Sequence, residues 1–292
     1  MLRRLPWISL AVALLGLATG PSLAADPVRI VAAENFYGDL ARQIGGAHVQ
    51  VTSILTNPQD DPHLFESSPS TARTLADADI VIYNGADYDP WMDRLLSVTG
   101  QSSRTVLVAA DLTGHRSGDN PHLWYDPATF PTVAKALTDE LTKRDTADAT
   151  DFASNLEAFE AGFGKVLDGV TAIKAAYQGV SVTATEPVFG YMAEAMGLNM
   201  LNQSFQLATM NETEPSASDV AAFENSLRGG TAKILFYNDQ VTDDTTARLL
   251  DIAKVSNVAI VGVTETMPAG GTIQSWFASQ IAAVQTALAG RP

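Results

Sequence analysis

The chain has 292 residues, no cysteine and a formal charge of -15. That length suits one large domain or two smaller ones, and the acidic balance disfavours nucleic acid and anionic membranes as partners. Without cysteine there is no disulfide and no thiolate ligand, so any metal site must be built from histidine and oxygen.

The first 25 residues read as a secretory signal. Arg3 and Arg4 form a positive start, Leu10 to Leu17 an apolar core, and Ser22-Leu23-Ala24 a small-residue cleavage site. An uncleaved anchor is the alternative, but the apolar run is short for a membrane span and interrupted by Gly16 and Gly20. Losing Arg3 and Arg4 would take the charge from -15 to -17 over about 267 remaining residues. A bacterial lipid anchor needs a cysteine at the cleavage site, so the expectation is a free periplasmic protein.

After residue 26 strands and helices alternate. Val28 to Ala32 predicts a strand, Phe36 to Ile44 a helix stopped by Gly45-Gly46, and Val49 to Leu55 a second strand. A loop with His63 follows, then a helix over 70–76 with Ser68 as its start. Strands are predicted over 79–83 and 105–109 with a helix over 91–98 between them. A loop with His122 then leads to a helix over 128–144. Residues 150–177 carry Phe152, Leu156, Phe159, Phe163, Val166, Leu167, Val170 and Ile173 at helical spacing. They predict one long helix with Gly162, Gly164 and Gly169 as weak points, two successive helices being the alternative. Beyond it, strands are expected over 180–184, 199–203, 232–237 and 258–263, and helices over 188–196, 216–227, 243–256 and 272–288. The predicted fold is α/β: an N-terminal lobe over 26–148, a linking helix over 149–179 and a C-terminal lobe over 180–292.

Two of the four histidines sit in closely similar settings, Asp61-Pro62-His63-Leu64 and Asn120-Pro121-His122-Leu123. Proline fixes its own φ and restricts the residue before it, which helps to hold the next imidazole at a set angle. The repeated setting points to a paired role. Each histidine is predicted to follow a strand and precede a helix, the edge where open α/β sheets bind ligands. The second half has no histidine, so partners for His63 and His122 must be carboxylates or carbonyls. Glu186 and Glu265 each follow a predicted strand, although by spacing alone each reads first as a solvated loop residue. His48 reads as a surface residue, His115 is not counted among the ligands, and Tyr88, Trp91 and Trp124 read as packing near the cleft.

Several segments together resemble the solute-binding proteins of metal-importing ABC transporters, the zinc/manganese family also called cluster A-I. They are Asn35-Phe36-Tyr37-Gly38-Asp39-Leu40-Ala41, Asp61-Pro62-His63 with Pro69-Ser70, Ala78 to Gly85, Asn120 to Pro127, Phe189-Gly190-Tyr191 and Glu214-Pro215-Ser216-Ala217. The resemblance covers essentially all of the chain after the signal. It implies two α/β lobes joined by a rigid helix, with one divalent metal ion held between them and delivered to a membrane permease. His63 and His122 match the family's first two ligands, and Glu186 stands at the third position. Glu265 stands where the family usually has an aspartate, with Asp239 as a fallback.

Nitrogen with hard oxygen suits Mn(II), Fe(II) or Zn(II), and carboxylates binding through both oxygens would favour the first two. A metalloenzyme is the rival reading, but there is no His-Glu-x-x-His and no Gly-x-Ser-x-Gly motif. A metal-dependent adhesin is a third. The expected protein is a monomer and not an enzyme.

Overall fold

The computed structural model describes residues 26–57, 65, 68–100, 103–238, 240 and 243–290. The signal segment, His63 and Asp239 lie outside the described residues.

Two four-stranded parallel sheets form the frame. The first contains β1 (Val28–Glu34), β2 (Val49–Leu55), β3 (Ile80–Tyr83) and β4 (Thr105–Val108), in the order β2-β1-β3-β4. The second contains β5 (Ser181–Ala184), β6 (Asn199–Met200), β7 (Ile234–Asn238) and β8 (Ala259–Val263), in the order β6-β5-β7-β8. The central strands β3 and β7 are buried along their whole length, as short apolar runs covered by helices on both faces must be. In each sheet the chain moves first to one side of the opening strand and then to the other. The strand order therefore reverses between β1 and β3, and again between β5 and β7. At such a reversal the loops leaving the strand ends diverge and open a crevice.

The helices in the first half are α1 (Asn35–Gly45), α2 (Pro69–Ala76), α3 (Pro90–Val98), α4 (Ala109–Thr113) and α5 (Thr129–Arg144). In the second half they are α7 (Gly190–Ala195), α8 (Gln203–Met210), α9 (Ala217–Arg228), α10 (Asp244–Val255) and α11 (Ile273–Ala289). Local chemistry starts several of them. Ser68 Oγ accepts from Thr71 N at 3.2 Å with Pro69 in the first turn, and Ser216 Oγ accepts from Asp219 N at 3.1 Å. Thr272 and Ser275 form a reciprocal cap on α11.

Between the sheets in sequence runs α6 (Ala149–Tyr177), 29 residues and about 44 Å long. It is continuous through all three glycines. Gly169 has a packing reason, since a Cβ there would lie 2.9 Å from Ile281 Cγ2 of α11. Its buried face of Phe152, Phe159, Phe163, Val166, Val170 and Ile173 belongs to one core that reaches from Ile30 in β1 to Val284 in α11. Aromatic rings carry that core across: Phe163 lies 5.8 Å from Phe130 of the first half and 5.9 Å from Phe277 of the second. Among the described residues, no helix is long and apolar enough to cross a membrane.

Three expectations need correction. The strand expected over 199–203 stops at Met200, because Asn202 takes a left-handed conformation (φ 57°) and starts α8, which was not foreseen. The helix expected over 188–196 opens as a 3-10 turn at Pro187–Phe189. The loop carrying His122 does not leave a strand directly, because α4 intervenes after β4. His122 is brought to the strand-end crevice by its loop instead.

Candidate metal centre

Register explains why residues distant in sequence meet. In the second sheet Ala184 pairs with Phe236, and Asn238 pairs with Val263. Two residues past the end of β5 the chain reaches Glu186, level with Asn238 at the end of β7. Two residues past β8 it reaches Glu265, on the same edge. Asn238 Nδ2 donates to Glu186 Oε2 at 2.7 Å and to Glu265 Oε1 at 2.8 Å. Glu186 precedes Pro187 and is extended (φ -143°, ψ 161°), the conformation that a following proline favours. Glu186 is 5% exposed and Glu265 0%. Gln240 Oε1 accepts the backbone N–H of Glu265 and, at 3.3 Å, that of Thr266.

The first half contributes His122, 1% exposed. Asn120 Oδ1 accepts from His122 N at 3.2 Å and from Nδ1 at 2.7 Å. An oxygen at Nδ1 places the ring proton there and leaves the Nε2 lone pair for a ligand. Nε2 lies 3.7 Å from Glu265 Oε2. Two donor atoms each about 2.1 Å from one ion stand roughly 3.0–3.4 Å apart at octahedral or tetrahedral angles, so a small further approach would bridge this gap. Asn120 Nδ2 also donates to Pro187 O at 2.9 Å, tying the His122 loop to the residue after Glu186. Tyr88 Oη donates to Glu265 Oε2 at 3.2 Å; burial, then Glu265, push its pKa well up, so it stays a donor. Trp124 packs edge-on to His122 at 5.3 Å, while Trp91 packs on Phe65 at 4.4 Å.

The crevice is held closed by pairs across the halves. Asn35 Nδ2 donates to Met267 O at 2.6 Å, and Met267 N donates back to Asn35 Oδ1 at 3.0 Å. Tyr125 Oη donates to Thr264 O at 2.8 Å.

Of the sequence candidates, the structure brings together His122, Glu186 and Glu265. Asn238 and Gln240 in this cluster were not foreseen, since a strand-end asparagine carries no motif that would have marked it, and Tyr88, expected only to pack near the cleft, hydrogen-bonds Glu265. His48 lies elsewhere, with Nδ1 2.8 Å from Asp148 and Nε2 3.1 Å from Asp151. This trio has the spacing of a cation site. Each ring nitrogen already faces its own carboxylate, however, and one ion can bind only one ring nitrogen. A histidine bridging two carboxylates, and so clamping the turn after α1 to the start of α6, fits this geometry better.

Behind the site, β1 ends in Glu34, fully buried beside Asp89. Asp89 accepts from the N–H groups of Asn84 at 2.7 Å and Gly85 at 2.8 Å, yet burial pushes its pKa up to about 7. Burial, then Asp89, raise Glu34 well above its usual range. Neither Glu34 side-chain oxygen has a hydrogen-bond partner among the described residues, and burial beside Asp89 favours its protonated form. Both folded pKa values exceed the unfolded values near 4, so the folded chain binds the extra protons. The pair's contribution to stability is fully present below about pH 4 and falls as pH rises, Asp89's share being lost through about 7. The metal-free protein is therefore expected to melt at a lower temperature at pH 8 than at pH 5, and Glu34→Gln to flatten that slope. Thermal unfolding of both proteins at the two pH values checks it, and an equal slope in Glu34→Gln would refute it.

Two parallel α/β halves meeting at their strand ends over a buried histidine and paired carboxylates define a binding protein with its ligand site between the halves. The comparisons agree. Residues 30–287 match the family described as zinc-uptake complex component A, periplasmic, and the chain belongs to that family. It is 24% identical over 255 residues to the high-affinity zinc uptake system protein ZnuA of Paracoccus denitrificans, covering 74% of this chain and 77% of that one. It is 26% identical over 189 residues to the manganese-binding lipoprotein MntA of Halalkalibacterium halodurans; that match covers 62% of each chain, under two thirds of the relative's length. Its fold is similar to the periplasmic zinc-binding protein TroA of Treponema pallidum, with a TM-score of 0.73 at 20% identity over 91% of this chain and 99% of that one.

Proposed function

We propose that this protein captures one divalent transition-metal ion between its two halves and delivers it to the membrane permease of an ABC importer. The ligands in this reading are His63, His122, Glu186 and Glu265, with residues 26–148 and 180–292 as the lobes and 149–179 as their link. The observation that carries it is His122 Nε2, its lone pair facing Glu265 Oε2 at 3.7 Å, in a buried cluster that Asn238 extends to Glu186. Two carboxylates side by side out of water repel each other, and a divalent ion between them offsets that repulsion. The relatives are named for zinc, manganese and iron, so Mn(II), Fe(II) and Zn(II) are all candidates as cargo.

We take the chain to be a monomeric, non-catalytic periplasmic protein exported by a cleaved signal. Several relatives are named lipoproteins, whereas this chain has no cysteine to carry a lipid. Elemental analysis of the protein purified from its own periplasm identifies the cargo.

The continuous core gives the metal-free protein its own stability. It is therefore expected to be folded, to bind one ion per chain, and to gain about 2.7 kcal/mol at a free metal concentration 100 times Kd. Circular dichroism of the apo protein and its melting temperature with and without Zn(II) provide the check. An unfolded apo protein, or no shift on adding metal, would contradict this.

A further inference from the structure

We infer that Asn238 is a positioning residue that restricts Glu186 and Glu265 to one oxygen each toward the ion, and so biases the site toward four-coordinate metals. The inference rests on the metal-capture reading above.

Asn238 is the last residue of β7 and is buried. The orientation of its amide is set by chemistry. Its Oδ1 accepts the backbone N–H of Gln240 at 3.1 Å, a group that can only donate. The Nδ2 end therefore faces the carboxylates, one hydrogen for Glu186 Oε2 and one for Glu265 Oε1. Turned the other way, the amide would set an oxygen against two carboxylates and a backbone N–H against an NH2 group. The residue is fixed further because its own N–H donates to Thr185 Oγ1 at 3.2 Å.

Hydrogen bonds from an amide to ionised carboxylates in a dry site are short and strong. An oxygen so held donates less to a metal and cannot swing to an equal distance from it. Bidentate binding needs both oxygens of a carboxylate at similar distances from the ion. At Glu265 the roles are divided: Oε1 belongs to Asn238 and Oε2 faces His122 Nε2. At Glu186, Oε2 belongs to Asn238. One oxygen from each glutamate and the His122 Nε2 make three donors, and the fourth ligand of the metal-capture reading would complete the tetrahedral set that suits Zn(II). Ions that seek six or more contacts need the oxygens that Asn238 holds. This is the reverse of the preference expected if all four glutamate oxygens were free to bind.

The test uses the full chain loaded with Co(II) alone, whose visible bands are intense in four-coordinate sites and weak in six-coordinate ones. Wild type is expected to show the intense spectrum. Asn238→Ala should lose most of that intensity, and its Mn(II)/Zn(II) affinity ratio should rise about fivefold by competition titration. Asn238→Leu keeps much of the side-chain volume without a donor, is expected to behave alike, and serves if the alanine variant does not fold. A merely structural role would weaken all metals together and leave the cobalt spectrum of the bound fraction unchanged; that result would overturn the inference. So would weak cobalt bands in wild type, which needs no variant. Failure of wild type to bind Co(II) or Zn(II) at all would instead overturn the metal-capture reading.

Discussion

His122→Ala is expected to lower Zn(II) and Mn(II) affinity at least a hundredfold, about 2.8 kcal/mol. Changes to residues that merely orient a metal ligand typically lose ten- to a hundredfold, and His122 in this reading is a ligand itself. The substitution removes the Nε2 lone pair that faces Glu265 Oε2, and no neighbour among the described residues replaces it. Trp124 and Tyr88, which pack around the ring, offer an indole face and a hydroxyl already engaged with Glu265. The fold should survive, because His122 is one residue at the edge of a core that spans both halves. Calorimetric titration of each metal, with circular dichroism as the folding control, measures this. Stoichiometric tight binding by the variant would remove His122 from the ligand shell and with it the main support for the site.

Glu186→His should change which metal is bound more than whether one is. The substitution removes one negative charge from a buried pair and supplies a nitrogen of borderline softness. Manganese(II), which gains most from hard anionic oxygen, is expected to lose more than tenfold in affinity, about 1.4 kcal/mol, while Zn(II) stays within about threefold. Part of the loss comes from Asn238, whose Nδ2 would give up a charged acceptor at 2.7 Å and leave a buried N–H less well satisfied. Competition titrations with both metals against wild type decide the matter. An unchanged Mn(II)/Zn(II) ratio would mean that Glu186 does not touch the ion.

Much of this architecture is legible in the sequence because it is built from local rules. The β-branched runs at 28–32, 79–83 and 258–263 predict strands without any knowledge of their neighbours. Ser68 before Pro69, and Ser216 three residues before Asp219, start helices through bonds that span three residues. The buried phenylalanines of α6 recur at helical spacing, so the long helix is visible despite its three glycines. Local reading failed at Asn202, whose left-handed turn ends β6 after two residues. Asparagine is one of the few side chains for which that conformation is inexpensive, but nothing in the sequence compels it.

The candidate site divides in the same way. His122, Glu186 and Glu265 stand out because proline neighbours and strand ends are local features, together with the family resemblance their motifs carry. Asn238 does not stand out, since its role depends on partners 52 and 27 residues away. Those partners reach it only because parallel pairing sets Ala184 beside Phe236 and Val263 beside Asn238. Likewise the sequence predicts two lobes and a linking helix, while packing decides that one core runs through all three, with Phe130, Phe163 and Phe277 in mutual contact. Periodicity and capping act over a few residues and are written along the chain. Register and ring packing act between segments that the chain brings together only on folding, so they appear only in three dimensions.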